Sequence, residues 1–268
     1  MPAASTTPTD GPNGADRPRS SDVPADVPAA VPADVPADSP TVRRVHPAPH
    51  ESVSIREAYT VDREPHPHRP WVGLCMVTSL DGTVAVEGTS GRLGNPNDLQ
   101  VLLTLRSITD VIVVGAGTVR GEGYGPPSKP GQRIGVVTNR GSVDLDDELF
   151  RSGAGFVIAP EGAEIDEDRV EVLRVGRSVV DLASAIGRLD EIVPGVRYVQ
   201  AEGGPTLNAA LLAADLIDEL DLTIASRLSG GGGPRLTRGA DDFDRRFDVA
   251  HLLVDDDGFV FGRWTRRR

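Results

Sequence analysis

The stretch Val196–Leu216, VRYVQAEGGPTLNAALLAADL, decides how the rest of the chain is arranged. Val196–Gln200 has the apolar, β-branched character of a short strand, and Glu202-Gly203-Gly204-Pro205 breaks it as a turn. From Thr206 onward the apolar residues Leu207, Ala210, Leu211 and Ala214 recur at helical spacing. Pro205 falls in the first turn of that helix, where its missing N–H is no loss. The two glycines before it let another group approach the backbone closely. Such a helix start offers unpaired N–H groups and a favourable dipole to a phosphate. The same residues also make an ordinary packing turn, and the local pattern leaves both readings open.

What surrounds the turn separates them. Trp71–Leu80 (WVGLCMVTSL) reads as a strand covered on both faces, ending in Ser79-Leu80-Asp81-Gly82, where the chain reverses into Thr83–Val86. After a Gly- and Ser-rich loop, Asn95 is a good N-cap for a helix with Pro96 at its first position and Asp98 in its first turn, running towards Ser107. Val111–Val114 is a second buried strand, closed by Gly115-Ala116-Gly117-Thr118. Ile134–Thr138 ends in Asn139-Arg140, Gly155–Ala159 follows, and Val172–Val175 precedes a helix over Asp181–Leu189. Leu220–Ala225 comes next, and Leu252–Val254 and Gly258–Trp264 flank Asp257-Gly258 as a hairpin. Alternating strands and helices predict an α/β fold, a mostly parallel sheet with helices on both faces. Ligands of such sheets bind at the carboxyl ends of the strands, and the polar turns at Ser79–Asp81, Gly115–Thr118, Asn139-Arg140 and Glu202–Thr206 all fall there.

Composition limits the rest. Residues 1–50 hold half of the prolines, almost no large apolar side chains and the repeat VPAD-VPAA-VPAD-VPAD (Val23–Asp38). Such a segment cannot bury enough apolar surface to offset its ordering entropy, so 1–50 is expected to be a disordered tail ahead of a single domain, 51–268. The tail has neither the apolar core of a signal peptide nor the acid-poor character of a transit peptide. No apolar run approaches the roughly 20 residues that cross a bilayer, and Cys75 is the only cysteine. A cytoplasmic protein without disulfides is the expectation. The net charge of −12 argues against nucleic acid as a partner, and Arg266-Arg267-Arg268 reads as a solvated end.

The chemistry follows by elimination. No Walker pattern, complete G-x-G-x-x-G or nucleophile elbow is present, and no His, Cys or carboxylate grouping suggests a metal. The five histidines, at 46, 50, 66, 68 and 251, lie outside the strand-end turns and read as solvated. Hydroxyls (Ser79, Ser90, Thr118), carboxylates (Asp81, Glu122, Glu202) and arginines (Arg92, Arg106, Arg140) remain beside glycine-rich turns. That set suits hydride transfer, in which a cofactor supplies the reactive atom and the protein aligns it. Arg140 is placed either to neutralise a ribose 2′-phosphate, favouring NADPH over NADH, or simply on the surface.

Four motifs then stand in a familiar order and approximate spacing: Met76…Thr78-Ser79-Leu80-Asp81-Gly82, Leu105-Arg106, Val113-Val114-Gly115-Ala116-Gly117-Thr118-Val119 and Glu202-Gly203-Gly204-Pro205-Thr206-Leu207. From about Arg69 to Trp264 the chain resembles, in stand-alone form, the reductase domain of the bacterial bifunctional riboflavin-biosynthesis deaminase-reductase. The resemblance implies a dihydrofolate-reductase-like fold, a mostly parallel twisted sheet flanked by helices with an antiparallel C-terminal hairpin. It also implies a homodimer that reduces 5-amino-6-(5-phosphoribosylamino)uracil with NADPH, opening the ribose to a ribitylamino chain. Carried over by position, Thr78, Arg92, Thr118, Glu122, Asn139 and Gly204 to Ala210 (with Pro205, Thr206 and Leu207 among them) fall where the family contacts NADPH. Gly117, Gly203 and Arg140 join them as strand-end neighbours. Ser90, Arg106 and Glu202 fall at the family's substrate contacts, and Lys129 stands nearest a substrate-phosphate arginine.

Three positions depart from the family: Cys75 replaces a lysine that serves as a substrate contact or proton donor, Arg92 an aromatic residue, and Glu122 an aspartate. Glu202 and Asp81 are the residues expected to orient the substrate or relay a proton. A pteridine such as dihydrofolate is the alternative substrate, and a non-catalytic NADPH-binding homologue the alternative of another class.

Overall fold

The computed structural model describes residues 42–48 and 51–268. In chain order the strands are β1 (Val42–His46), β2 (Ser52–Val53), β3 (Trp71–Ser79), β4 (Val111–Gly115), β5 (Arg133–Val137), β6 (Gly155–Ala159), β7 (Val172–Arg174), β8 (Tyr198–Ala201), β9 (Glu219–Ala225), β10 (Phe247–Val254) and β11 (Val260–Arg266). The helices are α1 (Ile55–Tyr59), α2 (Pro96–Ile108), α3 (Ala116–Glu122), α4 (Glu148–Arg151), α5 (Leu182–Gly187) and α6 (Pro205–Ala213). All eleven strands form one sheet in the order β2-β1-β10-β11-β9-β3-β8-β4-β5-β6-β7.

Seven consecutive strands, from β9 to β7, are parallel. They are the ones whose sequences are apolar runs, as expected of strands covered on both faces. The two faces separate by alternation along each strand. Val111 and Val113 of β4 pack with Leu207 and Leu211 of α6 and Ile186 of α5. Ile112 and Val114 pack on the opposite face with Val119 of α3 and Leu149 of α4. Further along that second face, Tyr59 of α1 and Val101 and Leu105 of α2 cover Leu253 and Phe261.

The start of α2 forms as the sequence indicates: Asn95 accepts the Asp98 amide at 3.0 Å, with Pro96 at the first helical position. The C-terminal hairpin, β10 with β11, joins the parallel strands through β9. It is one half of a larger antiparallel flank, because β1 pairs with β10 and β2 with β1.

That pairing corrects the boundary expected at residue 50. Val42–His46 is a strand of the sheet, and Val42 is buried in the cluster under α1 and α2. The Val-Pro-Ala-Asp repeat lies outside the described residues. One other expectation is corrected, while the reversal after β3 forms as expected, with the Gly82 amide donating to the Ser79 carbonyl at 2.9 Å. Past that turn, Thr83–Val86 makes isolated bridges from Thr83 to Arg235 and from Val86 to Thr89. His251, expected in solvent, is buried with its ring edge-on to Tyr59 at 4.7 Å. Burial, reinforced by Arg263, lowers its pKa from 6.5 to about 4, so it is neutral.

Candidate active site

Because β3, β4, β5 and β8 are parallel neighbours in the central sheet, their carboxyl ends open at one edge. A cleft of about 1160 Å³ lies there, bounded by α2, α3, the start of α6 and the loops after β3 and α3. Its floor is the turn after β8. The Glu202 amide donates to the Val113 carbonyl at 3.0 Å, and the Gly115 amide donates to the Gly203 carbonyl at 2.7 Å, so the ends of β8 and β4 are tied together. Gly203 adopts φ 86°, a left-handed conformation that glycine tolerates, and its peptide to Gly204 is cis.

At Gly204 the backbone becomes a cradle. Gly204 caps α6 without a side-chain hydrogen bond, so the first-turn N–H groups have no side-chain acceptor. A Cβ at Gly204 would lie 2.7 Å from Thr118 Oγ1, across the gap between the turn and α3. Thr206 and Leu207 line the cleft on one side of this gap, Gly117 and Thr118 on the other. Asn139 and Arg140, past the end of β5, continue the same wall. The Asn139 side-chain oxygen accepts the Val180 amide at 2.9 Å, which fixes that loop.

Glu202 begins the turn and faces the other half of the cleft. Arg106, near the end of α2, meets it side-on, Nε to Oε1 at 2.8 Å and Nη2 to Oε2 at 2.6 Å. Tyr124 donates its hydroxyl to Oε2 at 2.7 Å, and Gln200 donates its amide to Oε1 at 2.8 Å. The guanidinium also lies 5.4 Å from the centre of the Tyr124 ring. Burial works against the charge of Arg106, and the Glu202 carboxylate more than offsets it, so the guanidinium is held cationic. Burial, and then Glu202, push the Tyr124 phenol well above its usual range. Glu202 therefore meets four protein donors, while Arg106 Nη1 has no hydrogen-bond partner among the described residues.

At the mouth, Glu122 accepts the Ser90 amide at 2.8 Å, joining the loop after β3 to α3. Ser90, Arg106, Glu122 and Glu202 thus meet around one space with the Gly204 cradle. Seven expected site residues do not line it, Asn208 and Ala209 of the Gly204–Ala210 span being buried within α6. Thr78 is buried at the end of β3, its hydroxyl donating to the Ser79 carbonyl. Asp81 accepts the Ser79 hydroxyl at 2.6 Å and the amides of Ser229 and Gly230, which clamps two loops and holds its carboxyl below the usual range. Arg92 pairs with Glu87, Lys129 donates to the Thr109 carbonyl at 2.6 Å, and Gly203 lies beneath the turn against Met76.

Tyr124, in the Gly-Pro-rich stretch Gly121–Pro127, and Asp98, which the sequence marks only as a first-turn acid, also line the cleft. Among the described residues no group of three His, Cys, Asp or Glu side chains is placed to hold a metal ion. Nor is any helix among them long and apolar enough to cross a membrane.

The RibD C-terminal domain family model matches residues 70–261, the span that builds the parallel sheet and the cleft. The chain belongs to that family. It is similar to the 2,5-diamino-6-ribosylamino-4(3H)-pyrimidinone 5′-phosphate reductase of Methanothermobacter thermautotrophicus, 28% identical over 200 residues that cover 69% of this chain and 90% of the relative. The reductase of the same name from Archaeoglobus fulgidus is 26% identical over 220 residues, covering 74% of this chain and all of the relative. Among solved structures, a pyrimidine reductase-like protein from Corynebacterium diphtheriae superposes with a TM-score of 0.70 at 26% identity, over 81% of this chain and 100% of that one. The relatives it matches are named as reductases, and its sheet is mostly parallel with an antiparallel C-terminal hairpin, as the sequence implies.

Proposed function

We infer that the chain is an NADPH-dependent reductase of a 5-amino-6-(5-phosphoribosylamino)pyrimidine, either the uracil or its 2,5-diamino-pyrimidinone counterpart. The observation that carries this reading is the turn Glu202–Thr206. Its first residue anchors the Arg106–Tyr124 side of the cleft, and two residues later Gly204 opens a backbone cradle against Thr118. The cradle fits a diphosphate, since it pairs uncapped helix N–H groups with a position where any side chain would fill the space. Arg140 is assigned to a ribose 2′-phosphate beyond it, which selects the phosphorylated dinucleotide. When bound, the dihydronicotinamide supplies the hydride.

The chain's own residues then position the acceptor. Arg106, kept cationic by Glu202, presents Nη1 to an anionic or carbonyl oxygen of the pyrimidine substrate. Glu202 acts through Arg106 and Tyr124, as its oxygens are engaged by protein donors. Ser90 closes over the substrate from the loop that Glu122 ties down. Oxidation of NADPH, followed with each of the two pyrimidines and with dihydrofolate, tests the reading. Turnover of either pyrimidine and not of dihydrofolate supports it. Exclusive use of the pteridine, or tight NADPH binding without turnover of any of the three, overturns it.

A further inference from the structure

Opening a ribosylamine by reduction consumes a proton as well as a hydride. The C1′–O4′ bond breaks with its electron pair on O4′, C1′ gains the hydride, and O4′ must be protonated to become the new hydroxyl. The cleft has few groups able to provide that proton. Three carboxyls line it: Asp98, Glu122 and Glu202. Glu202 is saturated by Arg106, Tyr124 and Gln200, and Glu122 accepts the Ser90 amide at the mouth. Tyr124 has its proton on Glu202. Arginines do not titrate in this range, and no lysine or histidine lines the cleft among the described residues.

Asp98 differs from all of these. It stands on α2 with Leu102 and Arg106, at positions four apart, so the three form one stripe along the cleft wall. Gly94 leaves room beside it, for a Cβ there would collide with Asp98 Oδ2. Resting on the reductase reading above, we propose that Asp98 is the general acid of the reaction, delivering its proton to O4′ as the ribosyl C1′–O4′ bond opens.

The surroundings of Asp98 suit that work. Its carboxyl is withdrawn from water, which raises its pKa from 3.8 to about 6, with the Thr223 hydroxyl on β9 partly opposing the rise. Cys75 on β3 and Tyr59 on α1 face the same carboxyl, and burial keeps both protonated. Asp221, beside Cys75 in register on β9, is also held protonated by burial and by Glu219. Arg106 is the cation on the same helix face, and Glu202 neutralises it. No fixed cation therefore strips Asp98 of its proton, and with a pKa of about 6 roughly a tenth of it stays protonated at pH 7, far more than for an ordinary aspartate. An acid with a pKa near the working pH is well matched to general acid catalysis.

The test is Asp98→Asn in the full-length protein, assayed with both phosphoribosylamino-pyrimidines from pH 5 to 9, values set roughly around the expected pKa. Wild-type kcat is expected to be level below about pH 6 and to fall up to about tenfold per pH unit above it, as the acid loses its proton. D98N is expected to lose about 100-fold in kcat and to lose that limb, with NADPH affinity unchanged and a melting temperature no lower than wild type, since Asn removes a carboxylate that burial disfavours. Infrared difference titration of the cofactor-free protein supplies a readout without turnover: a carboxyl titrating at about 6 in wild type and missing in D98N. Wild type and D98N turning over alike, or a carboxyl titrating in the ordinary aspartate range, overturns the proposal alone. A wild type inert towards both pyrimidines overturns the reductase reading and this proposal with it.

Discussion

Arg106 and Glu202 form a side-on pair, with two nitrogens on two oxygens at 2.8 and 2.6 Å, between the last turn of α2 and the residue after β8. The pair is withdrawn from solvent and shares Glu202 with Tyr124 and Gln200. Removing one member leaves the other charge buried and unpaired, a loss of roughly 3–5 kcal/mol. Arg106→Ala is therefore expected to lower the melting temperature by several degrees and to abolish turnover. Glu202→Gln keeps the volume and two acceptor sites but not the charge that holds Arg106. Its kcat with the pyrimidine should fall about 100-fold while its NADPH dissociation constant, read by fluorescence titration, stays within about twofold. Full turnover by E202Q would show that the pair is structural only.

The cradle beyond that pair makes the opposite prediction. A methyl group at residue 204 would sit 2.7 Å from Thr118 Oγ1, in the space assigned to the diphosphate. Gly204→Ala should weaken NADPH binding at least about tenfold, equal to roughly 1.4 kcal/mol. The conformation of Gly204 is extended, with φ −79°, so alanine adds no backbone strain and the melting temperature should move little. Unchanged NADPH affinity in G204A would place the diphosphate elsewhere.

These two halves of the site were not equally legible in the sequence. Gly203-Gly204-Pro205 announces a strand-to-helix turn because glycine and proline act locally, and the cradle followed from it. Likewise β4 and β6 coincide with runs (VIVV, GFVIA) whose burial on both faces shows as unbroken apolar character. Asp98 reads as a first-turn helix acid, since nothing local reveals that Thr223 of β9 lies beside it. Asp81 looked like a free carboxylate because the loop at Ser229-Gly230 that occupies it comes from the far end of the domain. β1 was hidden by its two arginines and by the proline-rich segment preceding it. Its pairing with β10 is a long-range contact that no short-range pattern encodes.

His251 gives a stability prediction with a definite sign. Its pKa falls from 6.5 to about 4 because burial, then Arg263, disfavour the imidazolium. Between these values the unfolded chain binds more protons than the folded one. The contribution to stability is complete above about pH 6.5 and is lost as the pH falls towards 4, a change on the order of 3 kcal/mol. His251→Phe keeps a ring against Tyr59, 4.7 Å away, and removes the titration. The difference in melting temperature between wild type and H251F should therefore shift in favour of H251F on acidification. Asp98 titrates with the opposite sign in both proteins and cancels in that difference. A difference that is flat with pH would mean that folding leaves the His251 pKa unchanged.

The N-terminal boundary can be tested by truncation. Val42 is 1% exposed and packs in the cluster containing Tyr59, Leu105 and Phe261, while Arg43 and Arg44 pair with Val254 and Leu253 of β10. Removing β1 uncovers that cluster and leaves the hydrogen-bonding edge of β10 unpaired. Burial of a valine side chain contributes about 1.5–3 kcal/mol, before the lost strand pairing is counted. A chain beginning after His46 should therefore melt several degrees below one beginning at Val42, and should aggregate more readily through the exposed edge. Residues 1–41 carry the proline-rich repeat, whose composition cannot build a core, so a chain beginning at Val42 should match the full-length protein in melting temperature and NADPH affinity. The cleft lies at the carboxyl ends of β3, β4, β5 and β8, on the other side of β9 and β11 from β1. NADPH affinity in the shorter chain, measured well below its melting temperature, should then be retained. Loss of affinity at full folding would mean that the antiparallel flank shapes the site directly, through the contact of Tyr59 and β11 with α2, rather than by supporting the sheet.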